Sequence, residues 1–291
     1  MKPDITLKEL LGWDGISPVH ADLHCHSTLS DGSFTSAELL AQAQATGLTH
    51  LAITNHDTTQ GFDNASAAAQ ALSAVPSENA SKITYLSGIE VSAWNHASKR
   101  KVHILGYGLK ENSPALAELC APVLKARTDN TLWQQAQLEK AGYQLNYELL
   151  DQLKDASTGF YKQHLMAALT DAQFCSEEYQ SLYRKLFKEQ GALCKRDISY
   201  VDMRDAVQAI TEDGGVAVLA HPGQLKSYDA VPALVEAGLW GIECYHPDHN
   251  QGDWTLCAEL ADRYHLERTG GSDFHGTFGK VGHLGLCEVS F

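Results

Sequence analysis

Basic residues are scarce in this chain: 22 Lys and Arg stand against 36 Asp and Glu, leaving a formal charge of −14. Attraction to duplex nucleic acid or to an anionic membrane through counterion release needs clustered cations, so neither is an expected partner. A small phosphorylated substrate stays compatible, because bound divalent ions reverse the local potential. No CxxC pair occurs, and the seven cysteines are odd in number and scattered. That pattern argues against a disulfide framework and for a reducing compartment. No apolar run approaches membrane-spanning length. The opening MKPDITLKELLGWDGISPVH is mixed and polar, without a basic start leading into an apolar stretch. A secretory signal is therefore not expected, and a cytoplasmic location is.

A length of 291 residues suits one barrel-type domain or two ordinary ones. Short apolar or β-branched runs alternate with longer Ala- and Leu-rich stretches, the mark of an α/β architecture. Strands are predicted at 19–23, 49–54, 84–91, 101–107, 216–220, 240–245 and 267–272, and helices at 36–46, 63–74, 203–213, 229–237 and 253–264. Thr35 or Ser36 should cap the first of these helices, with Glu38 in its first turn. Between 113 and 200 the strand signal gives way to amphipathic helix, as in SPALAELCAPVLKARTDNTLWQQAQLEKAG. The expected organisation is a barrel built from 1–112 and 201–291, with 113–200 inserted as a helical cap over the strand ends.

The chemistry lies in where histidines and acids fall relative to the strands. VHADLH ends on His24, followed by His26; LAITNH ends on His56; LSGIE on Glu90; VAVLAH on His221; TGGSDFH on Asp273 and His275. In a parallel barrel these strand ends share one face, so residues distant in sequence converge. His103 falls early in KVHILGY, but the short polar link WNHASKR makes this strand the antiparallel return of 84–91. A turn centred near His96 would set His103 opposite Glu90. His24 and His26, one residue apart in extended chain, point to the same side, and the SDG turn adds Asp31. A lone His-x-His among fourteen histidines is weak evidence, whereas this accumulation points to a metal centre. His20, His50, His96, His164, His265 and His283 lack a partner at useful spacing and are assigned to scaffold or surface. Cys25, between two ligand candidates, should point away from them.

These residues resemble the PHP family, named for polymerase and histidinol phosphatase, and especially its stand-alone phosphoesterases acting on nucleotides or short RNA. ADLHCHSTLSDG, LAITNHDTTQGF, LSGIEVS, VHILGY, AVLAHPG, GIECYHPDH and GGSDFHG occur in the family's order. The resemblance implies an α/β fold, a distorted seven-stranded β/α (TIM-like) barrel with a di- or trinuclear centre. It puts the nine ligand positions on His24, His26, Asp31, His56, Glu90, His103, His221, Asp273 and His275. Two departures stand out. Asn55 replaces an Asp common before the second motif's histidine, and TGFYKQHLMAAL is only loosely like the relatives' Gly-Arg-Pro-His segment.

Mixed imidazole and carboxylate ligation suits two or three manganese, iron or zinc ions, with Glu90 the candidate bridge. Such ions lower the pKa of bound water toward about 7 and would supply a metal-activated hydroxide for hydrolysis of a phosphomonoester. The expected substrate is a nucleoside 3′,5′-bisphosphate or a short oligoribonucleotide. Arg127 and Arg196, with Lys195 in reserve, are the candidate phosphate-binding cations. Ser92, two residues past Glu90, could donate to a phosphate oxygen. His246 is the candidate general acid and His249 a candidate substrate contact. Trp94, Phe160, Tyr161 and Tyr245 could stack a base, although core packing is the commoner role for each. Two other classes remain open: an amidohydrolase-like C–N hydrolase, and a non-catalytic metal-stabilised binding module. Cations near the metals would argue against the first, and open ligand positions against the second.

Overall fold

The computed structural model describes residues 2–74 and 82–291. Among the described residues nine strands form one sheet: β1 His20–Asp22, β2 His50–His56, β3 Thr84–Asn95, β4 Arg100–Tyr107, β5 Val201–Asp202, β6 Val216–Leu219, β7 Gly241–Tyr245, β8 Glu267–Gly270 and β9 Val289–Ser290. Seven coincide with the predicted strands. The additional two are two-residue edge pieces, too short to leave a period in the sequence: β5 pairs with β3 and β9 with β1.

The order β8-β7-β6-β4-β3-β2-β1-β9 curls until its ends meet. Leu23 N–H donates to Gly270 O at 3.2 Å, and Cys25 bridges Phe274 in parallel register, so the chain beyond β1 and the chain beyond β8 close the barrel. β1, β2 and β3 run parallel, as do β6, β7 and β8; β4 is antiparallel to both neighbours. Helices at Ser36–Ala45, Phe62–Ala74, Met203–Glu212, Val231–Ala237 and Gln251–Tyr264 supply the crossovers. Their starts follow local chemistry: Thr35 and Glu38 exchange the two bonds of a capping box before Ser36–Ala45.

Apolar layers fill both sides of the sheet. Inside its lower end, Leu23, Tyr107, Val218 and Trp240 pack with Leu7 and Leu11 of the N-terminal segment. Trp240 is fully buried, and its ring N–H donates to Ile5 O at 2.6 Å. With that end plugged, the opposite end is left for the polar site.

From 113 to 200 the chain is helical, with helices at Pro114–Lys140, Tyr147–Ala156, Lys162–Leu169 and Glu177–Tyr183, the last running into a π-turn at Arg184–Lys188. Leu138, Leu150, Phe160, Leu165, Leu186 and Phe187 give this stretch an apolar core separate from the barrel's.

Candidate metal centre

The ligand candidates meet through strand register. Cys25 occupies a ladder position, so His24 and His26 on either side of it project together while its thiol turns away to Ala52 O at 3.3 Å. His56 at the end of β2 lies beside Glu90 of β3. Glu90 is not at a strand end, contrary to its place in the predicted strand: β3 continues to Asn95, and the β3–β4 hairpin rises past its neighbours. The hairpin turns one residue position later than a turn at His96 requires, pairing Asn95 with Arg100. His103 therefore faces Ser92, and Glu90 faces Leu105. Residues 90 and 92 share a face, so His103 still reaches Glu90 diagonally, Nδ1 to Oε1 at 2.6 Å.

Glu90 lies at the middle of the group. Its oxygens are 3.4 Å from His24, 3.2 Å from His26, 3.1 Å from His56, 2.6 Å from His103 and 2.8 Å from His221. Asp273 Oδ1 approaches His24 and His26 at 3.4 and 3.3 Å, and Asp31 approaches His275 at 3.5 Å. Three overlapping sets bring their ligand atoms within 4.8 Å of one another: His26, Asp31, His56 and His275; His24, His26, Glu90 and Asp273; His56, Glu90 and His103. All nine predicted positions thus gather at one end of the barrel.

The fit of cations to this group rests on its orphaned atoms. Among the described residues, His24 Nε2, His26 Nε2, His56 Nδ1 and Asp31 Oδ1 are buried without a hydrogen-bond partner. Carboxylates lie within ion-pair distance of the three imidazole nitrogens, and the His26 and His275 rings within that distance of Asp31 Oδ1, without hydrogen-bond geometry; an unsatisfied buried polar group costs about 1–3 kcal/mol. Shared divalent ions would satisfy all four. The titration behaviour has the same origin. Burial works to raise Glu90, but His56, His103 and His24 hold it well below the usual carboxylate range. Burial drives His56 down to about 4 despite Glu90 and Asp31. It is overcome at His275, which Asp31 and Asp273 raise to about 10. Backbone strain collects here too: His221 (φ 25°) and Asp273 (φ 52°) hold positive φ without being glycine.

Sequence reasoning missed three supporting residues, Glu243, Asp57 and Gln163, and marked Asn55 only as a departure from the family pattern. Glu243, fully buried on β7, accepts from His24 Nδ1 at 3.0 Å and from His221 N–H at 2.7 Å. This bond puts the His24 proton on Nδ1 and frees Nε2 for a metal. An acid inside the apolar strand GIECY was the available signal. Asn55 Oδ1 accepts from Ser27 N–H, Ser27 Oγ and Ser30 Oγ, so the change from Asp keeps an acceptor for the loop leading to Asp31. Asp57 accepts from Ser92 N–H and from Arg127, each at 2.7 Å. Gln163 donates to Asp31 Oδ2 at 2.7 Å. For Asp57 and Gln163 no local pattern pointed to a role.

The candidate ligand group opens into a cavity of about 700 Å³ between barrel and helical insertion. Ser92, Arg127, Arg196, Lys195 and His246 all line it, as do Lys101 and Lys162. Arg127 is fixed by Asp57 and by Ser92 Oγ and lies 5.1 Å over the Tyr161 ring. Arg196 is steered by Asn130 Oδ1 and Trp133. His246 Nδ1 accepts from Asp248 N–H at 3.0 Å, leaving Nε2 buried and, among the described residues, without a hydrogen-bond partner, 3.4 Å from Asp273. His249 does not fit its predicted role. Its Nε2 accepts from Gly223 N–H and its Nδ1 donates to Cys244 O, so both nitrogens are spent on backbone, away from the cavity. Of the aromatic candidates only Tyr161 lines the cavity; Phe174, Tyr179, Tyr183, Phe187, Tyr200 and Phe278 supply the rest of its aromatic lining.

Comparison with known proteins agrees with this geometry. The PHP domain family matches residues 22–205, more than half of the chain. A phosphoribosyl 1,2-cyclic phosphate 1,2-diphosphodiesterase from Eggerthella lenta is 54% identical over 91% of this chain and 97% of its own length. A 3′,5′-nucleoside bisphosphate phosphatase from Chromobacterium violaceum is 33% identical over 90% of each chain. Among solved structures, a protein from Bifidobacterium adolescentis described as a metal-dependent phosphoesterase superposes with a TM-score of 0.78 at 26% identity, covering 90% of each chain. The chain belongs to the PHP family.

Proposed function

We propose that this PHP-family chain is a metal-dependent phosphoesterase that hydrolyses a small ribose phosphate bearing two phosphoryl groups, with phosphoribosyl 1,2-cyclic phosphate as the leading substrate. The reading is carried by one observation: the ligand group and the insertion's cations open onto a single cavity. The relative at 54% identity is named for a cyclic phosphate on a phosphoribosyl unit, and the one at 33% for a nucleoside bisphosphate. Both compounds carry one phosphoryl group to react and another to anchor. A nucleoside 3′,5′-bisphosphate is the second reading, favoured by the aromatic wall of Phe174, Tyr179 and Tyr183, on which a base could stack.

Three sets of ligand atoms sharing Glu90, His26 and His56 suit two or three divalent ions, and their N/O composition suits manganese, iron or zinc. When bound, such ions supply Lewis acidity and activate water at neutral pH. The chain's own groups do the rest. Arg127, held from behind by Asp57, presents its fork to a phosphoryl oxygen. Ser92 lies between Arg127 and the metal ligands and adds a hydroxyl. Lys162, Lys195 and Arg196 also line the cavity and would hold the second phosphate. His246 is the proposed acid: because Nδ1 accepts a backbone N–H, its proton sits on Nε2, 3.4 Å from the cavity-lining Asp273. Hydrolysis breaks one P–O bond, and that proton goes to the departing ribose oxygen.

Cations beside the ligand group disfavour C–N hydrolysis, and orphaned ligand atoms on an open cavity disfavour a closed, non-catalytic metal site. The test is turnover of purified protein, supplied with manganese, against phosphoribosyl 1,2-cyclic phosphate, nucleoside 3′,5′-bisphosphates, short RNA, histidinol phosphate and aryl phosphates. Chelator-sensitive hydrolysis of a ribose phosphate, lost in His56→Ala and Asp273→Ala, is expected. Hydrolysis that survives chelation and both substitutions would remove the metal reading.

A further inference from the structure

The loop 27–32 delivers Asp31 to the ligand group, and it is gripped from two sides. Asn55 holds it from the barrel. From the insertion, Thr158 N–H and Oγ1 bond to Leu29 O at 3.0 and 2.9 Å. Ser157 Oγ donates to Ser30 O at 3.0 Å, and His164 Nε2 meets the same carbonyl at 3.1 Å. Backbone grips alone leave a carboxylate free to rotate. Gln163, one residue before His164, donates its amide to Asp31 Oδ2 at 2.7 Å, while Asp31 Oδ1 is buried and, among the described residues, partnerless, 3.7 Å from His26 and 3.5 Å from His275, in the ligand set that His56 completes.

We infer that Gln163 is a positioning residue for one metal of the cluster: it ties down Asp31 Oδ2 so that Oδ1 is presented to the ion shared with His26, His56 and His275, which makes that ion's affinity depend on the docked insertion. The inference rests on reading the cluster as a metal centre. A carboxylate ligand held by an outer hydrogen bond loses less freedom on binding, and removal of such a partner commonly costs 10–100-fold in metal affinity. The ions of the other two sets do not involve Asp31 and should be spared.

The experiment compares the parent with Gln163→Met, close in length but without a donor, and Gln163→Ala, which also removes the packing. Metal content is measured by elemental analysis, stepwise affinity by competition with a calibrated chelator, and stability by melting of the chelated protein. One equivalent weakened about tenfold or more in both variants, the others within twofold, and a metal-free melting temperature within about 2 °C of the parent's are expected. Unchanged stepwise affinities in both variants would overturn the role of Gln163 while leaving the metal centre standing, as would equal weakening of all equivalents. A parent that binds no metal would overturn both together. Should the Met variant fail to fold, the Ala variant gives the same reading.

Discussion

Replacing Glu243 by Gln changes one atom and removes a charge, and the geometry determines the consequence. The carboxylate accepts two bonds at once, from His24 Nδ1 at 3.0 Å and from His221 N–H at 2.7 Å. A carboxamide offers one oxygen. With that oxygen kept on His221 N–H, the NH₂ faces His24 Nδ1 and drives the ring proton to Nε2, the atom needed for a metal. With the amide reversed, the NH₂ opposes the His221 backbone donor and strains a residue already at positive φ. Either arrangement forfeits a charge-assisted bond worth about 1.5–3 kcal/mol, about 10–100-fold in metal affinity at about 1.4 kcal/mol per decade. The assay is a chelator-competition titration of parent and Glu243→Gln, with urea unfolding of the metal-free proteins as a control. A variant that binds metal as tightly as the parent, with unchanged turnover, would refute both the tautomer assignment and the use of His24 as a ligand.

Arg127→Lys keeps a cation beside Asp57 but loses the planar fork, so KM should rise about tenfold with kcat within about threefold; steady-state kinetics on the preferred ribose phosphate check this, and an unchanged KM would remove Arg127 from substrate binding. His164 is driven down to about 4 by burial, against an ordinary value of about 6.5. The folded chain keeps this ring neutral while the unfolded chain protonates it, so its contribution is intact above about pH 6.5, falls as pH drops, and levels off below about 4. At pH 5 the loss should be about 2 kcal/mol, read by urea unfolding of the metal-free protein at pH 7 and 5. The pH dependence of His164→Gln should be flatter by that amount, and identical dependence in the two proteins would contradict the assignment.

The strand-end histidines and acids were legible because strand period and side-chain chemistry are local properties. His24, His56, His221 and Asp273 terminate apolar runs that can only be strands of a barrel, and a parallel barrel has one ligand-bearing face. The hairpin showed where that reasoning begins to loosen. A turn one residue away from the expected place moved the partner of His103 from Glu90 to Ser92. The site survived because positions two apart share a face. His249 shows the opposite outcome: a histidine in a promising motif whose nitrogens are consumed by the backbone of Gly223 and Cys244, partners brought near only by folding.

Chain pattern was therefore sufficient for the strands and for the candidate ligand set they carry, since both follow from the order of residues along individual strands, while the chemical class came from the resemblance of the motifs to the PHP family. The supporting groups were beyond its reach. Glu243 behind His24, Asp57 behind Arg127 and Gln163 against Asp31 act across 219, 70 and 132 residues of sequence. Such pairings depend on how the insertion docks and how strands align to within a fraction of a residue, and a hydrogen bond fails when its partners are displaced by less than an ångström.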